Sequence, residues 1–286
     1  MTTQFGINIS TSAGSGSDPL TDAQRAEELG FDFISSSDHP IGANPSNETW
    51  TQLAMIAAST SRIKVAPRVL GAPFRNPALL AKMAETLDRL SGGRLILGLG
   101  AGGMDQEVEA LGASPAGAGA KITALEEAIQ IIHGLWRQPD FTFAGDHFRT
   151  NSATITPRPA ATIPIWLGTF GARSLEVTGR LADGWIPSLG HAGADKLQGM
   201  LQRVRRSQRK ARRADDMVQF ILNVQVEVGG APGGDAIGGT PAEVANQLAD
   251  YIAMGFGGFN FMPPEDDWLG QAQLLAGEVI PVLGRS

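Results

Sequence analysis

The chain has 286 residues, of which 42% are hydrophobic, and a formal net charge of −6 at pH 7. This length exceeds the ~100–200 residues of an ordinary domain but suits a (β/α)8 barrel, which takes ~250 residues as one unit. The negative charge argues against nucleic acid as a partner, and the lack of cysteine excludes disulfides and suits a cytoplasmic protein.

Strands and helices are predicted to alternate along the whole chain. The amino end, MTTQFGINIS, lacks the features of a signal peptide, and no run of ~20 apolar residues predicts a membrane span. Apolar runs bounded by turn residues predict strands over 5–9, 31–34, 63–70, 95–97, 163–168, 184–186, 218–228 and 257–262. Helical spacing and capping residues predict helices over 18–29, 50–59, 77–90, 121–136, 172–181 and 194–213, with two more after residue 240.

Strands that are each followed by a helix predict an α/β fold, here one domain over residues 1–286. The expected architecture is a single (β/α)8 TIM barrel with an insertion before strand five. That insertion covers 141–161, and its alternating F-T-F-A-G-D-H-F-R-T predicts a short hairpin. The pattern alone leaves an open, doubly wound sheet as the alternative.

The stretch 73–112 carries the densest signals. Asn76 can cap a helix, and Pro77 fits the first helical position because its missing N–H would be unpaired there anyway. Serine and two glycines at 91–93 end this helix, and the apolar run 95–97 predicts a strand covered on both faces. The glycines expected after that strand allow the backbone to approach a ligand closely: Gly98, Gly100, Gly102 and Gly103.

The motifs P-F-R-N-P, L-D-R-L-S-G-G-R-L, G-L-G-A-G and E-A-L-G in this stretch cover some forty residues. Together they resemble the luciferase-like monooxygenase superfamily, the group of bacterial luciferase and the coenzyme F420-dependent oxidoreductases. The resemblance implies a (β/α)8 barrel, a deazaflavin or flavin cofactor and a small-molecule substrate. Barrels of this superfamily are often dimers, so the resemblance is compatible with a homodimer, although the sequence does not determine the oligomeric state.

The sharpest candidate for acid–base chemistry is the pair Asp38 and His39, at the end of the second predicted strand. Histidine titrates near neutrality, and an adjacent carboxylate can orient it for proton transfer. In the deazaflavin-dependent branch that S-D-H resembles, the histidine lies near the reactive ring carbon. The alternative is an Asp-His-Pro turn without chemistry. Residues 41–43 are Ile-Gly-Ala where some members carry a tryptophan, which predicts a different substrate pocket.

The resemblance also implies where the cofactor binds. A bulge with a non-proline cis peptide is expected at Pro67–Arg68 or Arg68–Val69, under the central ring; the alternative is a strand that Pro67 merely interrupts. Two glycine-rich turns open toward helices whose free N–H groups favour phosphate, and the alternative there is plain turn geometry. The candidate cofactor-binding residues are Pro67, Arg68, Val69, Gly100, Ala101, Gly102, Gly168, Thr169, Phe170 and Gly171.

Other signals point away from chemistry. Seven of the eleven residues 203–213 are basic, which predicts a solvated outer helix rather than a nucleic-acid or membrane surface at this net charge. No His/Asp/Glu set has metal-ligand spacing, so no metal is expected. Among the remaining histidines, His191 is the better candidate because it follows a predicted strand. Gly103 and Met104 stand where some deazaflavin enzymes carry a proton-donating glutamate, which argues against a sugar-phosphate dehydrogenase.

The sequence leaves three functions open and argues against a fourth. The first is an oxidoreductase that transfers a hydride between coenzyme F420 and a small organic substrate, with His39 as the acid or base. The second is an FMN-dependent monooxygenase of the same superfamily, which oxygen consumption would distinguish. The third is a flavin- or deazaflavin-binding protein without turnover. The fourth, a phosphosugar lyase or isomerase, would need a Lys, Glu or Asp pair at strand ends, which the sequence does not offer.

Overall fold

The computed structural model describes residues 3–231 and 233–284. Its strands are β1 (Gln4–Asn8), β2 (Phe33–Ser36), β3 (Lys64–Pro67), β4 (Leu70–Gly71), β5 (Leu97–Gly100), β6 (Phe141–Ala144), β7 (Arg149–Ala153), β8 (Ile165–Leu167), β9 (Gly184–Trp185), β10 (Gln219–Val228), β11 (Ile237–Gly239) and β12 (Gly258–Met262). Its α-helices are α1 (Pro19–Glu28), α2 (Thr49–Ser59), α3 (Pro77–Ser91), α4 (Asp105–Ala110), α5 (Ala118–Arg137), α6 (Ala172–Leu181), α7 (Leu189–Ala192), α8 (Ala194–Lys210), α9 (Pro241–Met254), α10 (Trp268–Leu274) and α11 (Ile280–Leu283).

The parallel strands close into a barrel. The hydrogen-bonded order is β3-β2-β1-β12-β10-β9-β8-β5-β4, in which β1 lies beside β12 with Ile7 opposite Phe261. β3 and β4 are two halves of one strand, separated at a cis peptide between Arg68 and Val69. The ring closes because Val65 of β3 also bonds the chain that enters β5, from its N–H to the Arg94 oxygen at 2.9 Å. The predicted (β/α)8 barrel is confirmed, and the open-sheet alternative is wrong.

Large rings fill the interior of the barrel. Phe33, Ala66, Ile96, Trp166, Ile186 and Ile221 form a separate buried cluster, while their neighbours along each strand face the helices. Phe33 and Trp166 meet edge-on with 5.3 Å between ring centres. Glycine makes room for them, because a Cβ on Gly184 would overlap the Trp166 ring. Side chains therefore fill the interior of the barrel below its mouth.

The insertion before strand five is the predicted hairpin, formed by the antiparallel strands β6 and β7. It is tied to α5 through Glu127, a nearly enclosed carboxylate that accepts N–H bonds from Asp146, His147 and Phe148 at 2.7, 2.9 and 2.9 Å. Burial opposes ionisation of Glu127, but the three N–H donors outweigh it and lower the pKa below the usual 4.5. His147 contributes through its backbone.

The strands of the structure differ from the prediction in two places. The fourth strand is β5 and starts at Leu97, so Gly98 and Gly100 lie in the strand and not in the turn after it. The sequence pattern did not predict β11, which lies after the strand predicted over 218–228 and pairs with β10 at Val226 and Ile237; residue 232, between the two strands, lies outside the described residues. In the described ranges, no helix combines the length and apolar character that crossing a membrane requires.

Candidate active site

A cavity of about 760 Å³ opens at the carboxyl ends of the barrel strands, where enzymes of this architecture carry their active sites. The loops after β2, β5, β8 and β9 form its walls. Asp38 and His39 line it, as do nine of the ten predicted cofactor-binding residues. The exception is Pro67, which lies in β3 and does not line the cavity. The structure thus brings the predicted residues together at one end of the barrel.

The two glycines of β5 and the glycine that follows β8 make room for the cis bulge. A Cβ on Gly98 would overlap the carbonyl oxygen of Pro67, and one on Gly100 would lie 2.7 Å from Val69 Cγ2. Gly168 is less crowded, since its Cβ would lie 3.1 Å from the same methyl group. Val69 therefore packs against three positions without side chains. The contacts with Pro67 and Val69 explain why glycine is needed at these three positions. For Gly100 and Gly168 the sequence had suggested a different reason, namely space for a phosphate.

Asp38 does not contact His39. Its carboxylate accepts two hydrogen bonds from Arg75, at 2.7 and 2.9 Å, and one from the Gly71 N–H at 2.9 Å. Arg75 also donates to Glu48 at 2.5 Å. Burial alone would lower the pKa of Arg75, but Asp38 and Glu48 outweigh it and raise the pKa. The predicted Asp38–His39 pair is wrong, because Asp38 is bound by Arg75 and Gly71 whereas His39 is bound by Glu107.

The partner of His39 is Glu107, on α4. His39 Nδ1 lies 2.8 Å from Glu107 Oε1; the histidine side chain is 54% exposed and that of the glutamate 8%. The other carboxylate oxygen, Oε2, is enclosed without a partner. The sequence interpretation missed Glu107 because it looked for an acid at Gly103 and Met104. The available signal was weak: Glu107 adjoins Val108, the apolar residue on the buried face of α4.

The turn after β8 leads straight into α6, whose N-cap Gly171 has no side-chain cap. The first N–H groups of this ten-residue helix therefore face the cavity beside Ala172 and Arg173. Arg173 bonds the Gly119 carbonyl and the Thr123 hydroxyl, each at 2.9 Å, and pairs with no carboxylate in the described part of the chain. This end of the cavity is positive, and it suits an anionic group.

Thr169 stabilises that turn from within. Its hydroxyl lies 2.7 Å from the Thr178 hydroxyl, which itself donates to the Ser174 carbonyl. Its carbonyl accepts the indole N–H of Trp185 at 2.9 Å. The hydroxyl proton of Thr169 is thus used inside the protein, so Thr169 shapes the turn through its backbone and is not a free donor for a ligand.

Polar side chains from other strands complete the mouth. Ser35, Asn260 and Asn223 form a buried chain of hydrogen bonds, each 2.9 Å long. Asn223 reaches the cavity, as does His191, whose ring centre lies 6.0 Å from that of Phe170. Within the described ranges no three His, Asp or Glu side chains converge on a metal site.

The other sequence features lie outside the site. Burial and the nearby Arg137 and Arg213 lower the pKa of His133 to about 4, so this histidine is neutral and belongs to the α5 packing. Along α8, Arg203 and Arg209 form ion pairs with Glu176 and Asp215, each at 3.0 Å. These exposed pairs agree with a solvated outer helix.

The closed barrel and the cavity at its carboxyl end define the class of (β/α)8 barrel enzymes. A family model described as luciferase-like monooxygenase matches residues 3–233. The chain therefore belongs to the luciferase-like monooxygenase family, and the resemblance seen in its motifs is confirmed. The F420-dependent glucose-6-phosphate dehydrogenase of Nakamurella multipartita is 32% identical over 230 residues, 78% of this chain and 67% of that protein.

Two solved structures share the fold. An F420-dependent secondary alcohol dehydrogenase in complex with an F420–acetone adduct superposes with a TM-score of 0.87 at 19% identity, over 99% of this chain and 100% of that one. The monooxygenase RslO1 from Streptomyces bottropensis superposes with a TM-score of 0.83 at 21% identity, over 98% of this chain and 100% of that one. At these identities the likeness establishes the shared architecture alone.

Proposed function

We propose that the protein is an oxidoreductase that transfers a hydride between coenzyme F420 and a small organic substrate. The observation that carries this proposal is His39, held by Glu107 at the rim of a cavity that has an uncapped helix at one end. The F420-dependent relative that is 32% identical supports the choice of cofactor.

The residues of the cavity fit such a cofactor. Val69, packed against Gly100 and Gly168, lines the cavity with them and forms an apolar surface against which a flat ring can lie. The free N–H groups of α6 and the guanidinium of Arg173 suit an anionic tail. A cavity of about 760 Å³ is within the range of sites that bind cofactor-sized molecules.

When bound, the deazaflavin supplies the hydride chemistry, and the protein supplies position and protons. If the Nδ1–H of His39 donates a hydrogen bond to Glu107, Nε2 of the neutral ring can accept a proton, on a residue that lines the cavity. His39 would then take the proton of a substrate hydroxyl at Nε2, or return it in the reverse direction. Glu107 fixes the ring orientation and stabilises the charged imidazolium.

The second candidate is an FMN-dependent monooxygenase. The family to which the chain belongs and the similarity of its fold to RslO1 support it. The two functions differ in their demand for oxygen, so turnover that consumes no oxygen supports the first, and turnover that requires oxygen supports the second.

The test combines binding and turnover. We expect apo-protein to bind F420 about tenfold more tightly than FMN, a difference of ~1.4 kcal/mol, in fluorescence titrations. His39→Ala and His39→Asn should keep F420 affinity and lose about 10²–10⁴-fold in turnover. His147→Ala is the matched control, because this exposed hairpin histidine is remote from the cavity.

Equal affinity for the two cofactors, or FMN retained through purification, would favour the monooxygenase. Unchanged turnover in His39→Ala would show that residues 38–40 form only a turn.

A further inference from the structure

Arg68 is a cavity-lining cation whose hydrogen bonds are almost entirely unmade. Its guanidinium makes a single hydrogen bond, a long one of 3.4 Å from Nη2 to the Asn8 side-chain oxygen. Nε is enclosed and has no partner. No carboxylate of residues 3–231 and 233–284 forms an ion pair with it.

Arg94 shows what a structural arginine looks like in the same barrel. It is buried and likewise forms no ion pair among the described residues, yet all three of its nitrogens donate. Its Nε bonds Ser91, its Nη1 bonds Thr60 and Ile63, and its Nη2 bonds Ala57 and Thr60, at distances of 2.5 to 3.2 Å. Packing therefore can satisfy a buried guanidinium in this protein, and at Arg68 it does not.

The charge of Arg68 is also unbalanced. Burial lowers the pKa of Arg68 to about 10, so the side chain remains a cation at neutral pH. The carboxylates nearest to the mouth have other partners, since Asp38 is held by Arg75 and Glu107 by His39. A partly buried charge without a counterion is costly, and binding sites are where such groups are retained.

The direction of the side chain separates it from the positive end at α6. Val69 packs toward β5 and β8, whereas Arg68 reaches Asn8 at the end of β1. In the barrel order β1 is beside β2, and β2 leads to His39. Arg68 and His39 therefore belong to the same side of the mouth, opposite the turn that precedes α6.

We propose that Arg68 binds an oxyanion group of the substrate, a carboxylate or a phosphate, while the reacting oxygen of the substrate lies at His39. This assignment of the substrate class rests on the proposed oxidoreductase function. A planar guanidinium with free N–H groups matches both anions, because each offers paired oxygens at the right spacing.

The test uses F420-saturated protein, in which the anion site at α6 is filled. Thermal unfolding is followed while chloride is replaced by acetate or by inorganic phosphate at constant ionic strength, because an anion that binds the folded state raises Tm. We expect at least one of the two to raise Tm in wild type, acetate for a carboxylate substrate and phosphate for a phosphorylated one. Arg68→Gln should weaken this response about tenfold, while the exposed Arg62→Gln keeps it.

Arg68→Met provides a readout that a structural role would not give. Methionine removes the unbalanced charge and retains much of the length, so we expect its Tm in chloride to equal or exceed that of wild type. An anion response equal in wild type and Arg68→Gln, no response in wild type, or a sharp fall of Tm in Arg68→Met would each overturn the proposal. A tenfold loss of F420 affinity in Arg68→Gln with an unchanged anion response would assign the guanidinium to the cofactor instead.

Failure of the proposed oxidoreductase function can be distinguished from failure of the Arg68 proposal. If wild type binds neither F420 nor FMN, the oxidoreductase proposal fails. The acetate titration of the cofactor-free protein then still decides whether Arg68 is an anion-binding residue.

Discussion

The interaction between Asp38 and Arg75 allows a quantitative test of what holds the candidate catalytic loop. The Asp38 side chain is fully enclosed and that of Arg75 is 12% exposed, so the two bonds between them are shielded from water. Removing one partner of a buried pair typically costs ~3–5 kcal/mol. Arg75 keeps Glu48 in Asp38→Asn, so we expect a loss near the lower end, about 3 kcal/mol.

Urea unfolding at pH 7 measures this loss as a lower midpoint with an unchanged slope. The control is Arg25→Gln, which breaks an exposed i,i+3 pair with Glu28 at 2.7 Å and should cost less than ~0.5 kcal/mol. His39→Ala should also leave the free energy of unfolding within about 1 kcal/mol, since its ring is half exposed. A loss below ~1 kcal/mol in Asp38→Asn would refute the view that Asp38 anchors this loop.

Three further outcomes follow from the packing. Gly98→Ala should destabilise by at least ~1–3 kcal/mol in urea, because its Cβ overlaps backbone that cannot move aside; wild-type stability would contradict this packing. Gly168→Val should weaken F420 binding because the new side chain displaces Val69, and adding Val69→Ala should restore part of the affinity. If the double variant binds no better, the added side chain acts by contacting the cofactor directly. Glu127→Gln should cost ~2–4 kcal/mol at pH 7. Since folding lowers the pKa of Glu127, this difference is full above about pH 4.5 and shrinks as pH falls through the lowered value, and a pH-independent difference would contradict it.

Much of the barrel could be predicted because its signals are local. Apolar runs, Asn76 with Pro77, and the capping box of Thr240 with Glu243 each act within a few residues. The glycines of β5 led to a wrong prediction. Gly98 and Gly100 make room for residues of the neighbouring chain segment and do not form a turn. Nothing in the local sequence distinguishes a glycine that relieves a contact across the sheet from one that ends a strand.

The partners in the site could not be predicted because they depend on the closed fold. His39 and Glu107 are 68 residues apart, and Asp38 and Arg75 are 37 apart. Neighbouring side chains in a loop take partners from different elements, so the proximity of Asp38 to His39 in sequence argued for the wrong contact. The P-F-R-N-P motif signalled the family, yet its arginine acts as a structural anchor for Asp38.

Enclosed polar atoms that lack a hydrogen-bond partner indicate a site at the mouth of the barrel independently of any similarity to other proteins. Among the described residues, four enclosed side-chain atoms have no hydrogen-bond partner: Arg68 Nε, Glu107 Oε2, Trp166 Nε1 and Gln208 Oε1. One of the four, Arg68 Nε, is a donor on a cation that lines the cavity, and another, Glu107 Oε2, is an acceptor on the carboxylate that holds the cavity-lining His39. Folded proteins satisfy nearly all such atoms, and exceptions concentrate where a ligand completes the set. A substrate that presents an oxyanion to Arg68 and a hydroxyl near His39 would therefore supply what the fold itself leaves open.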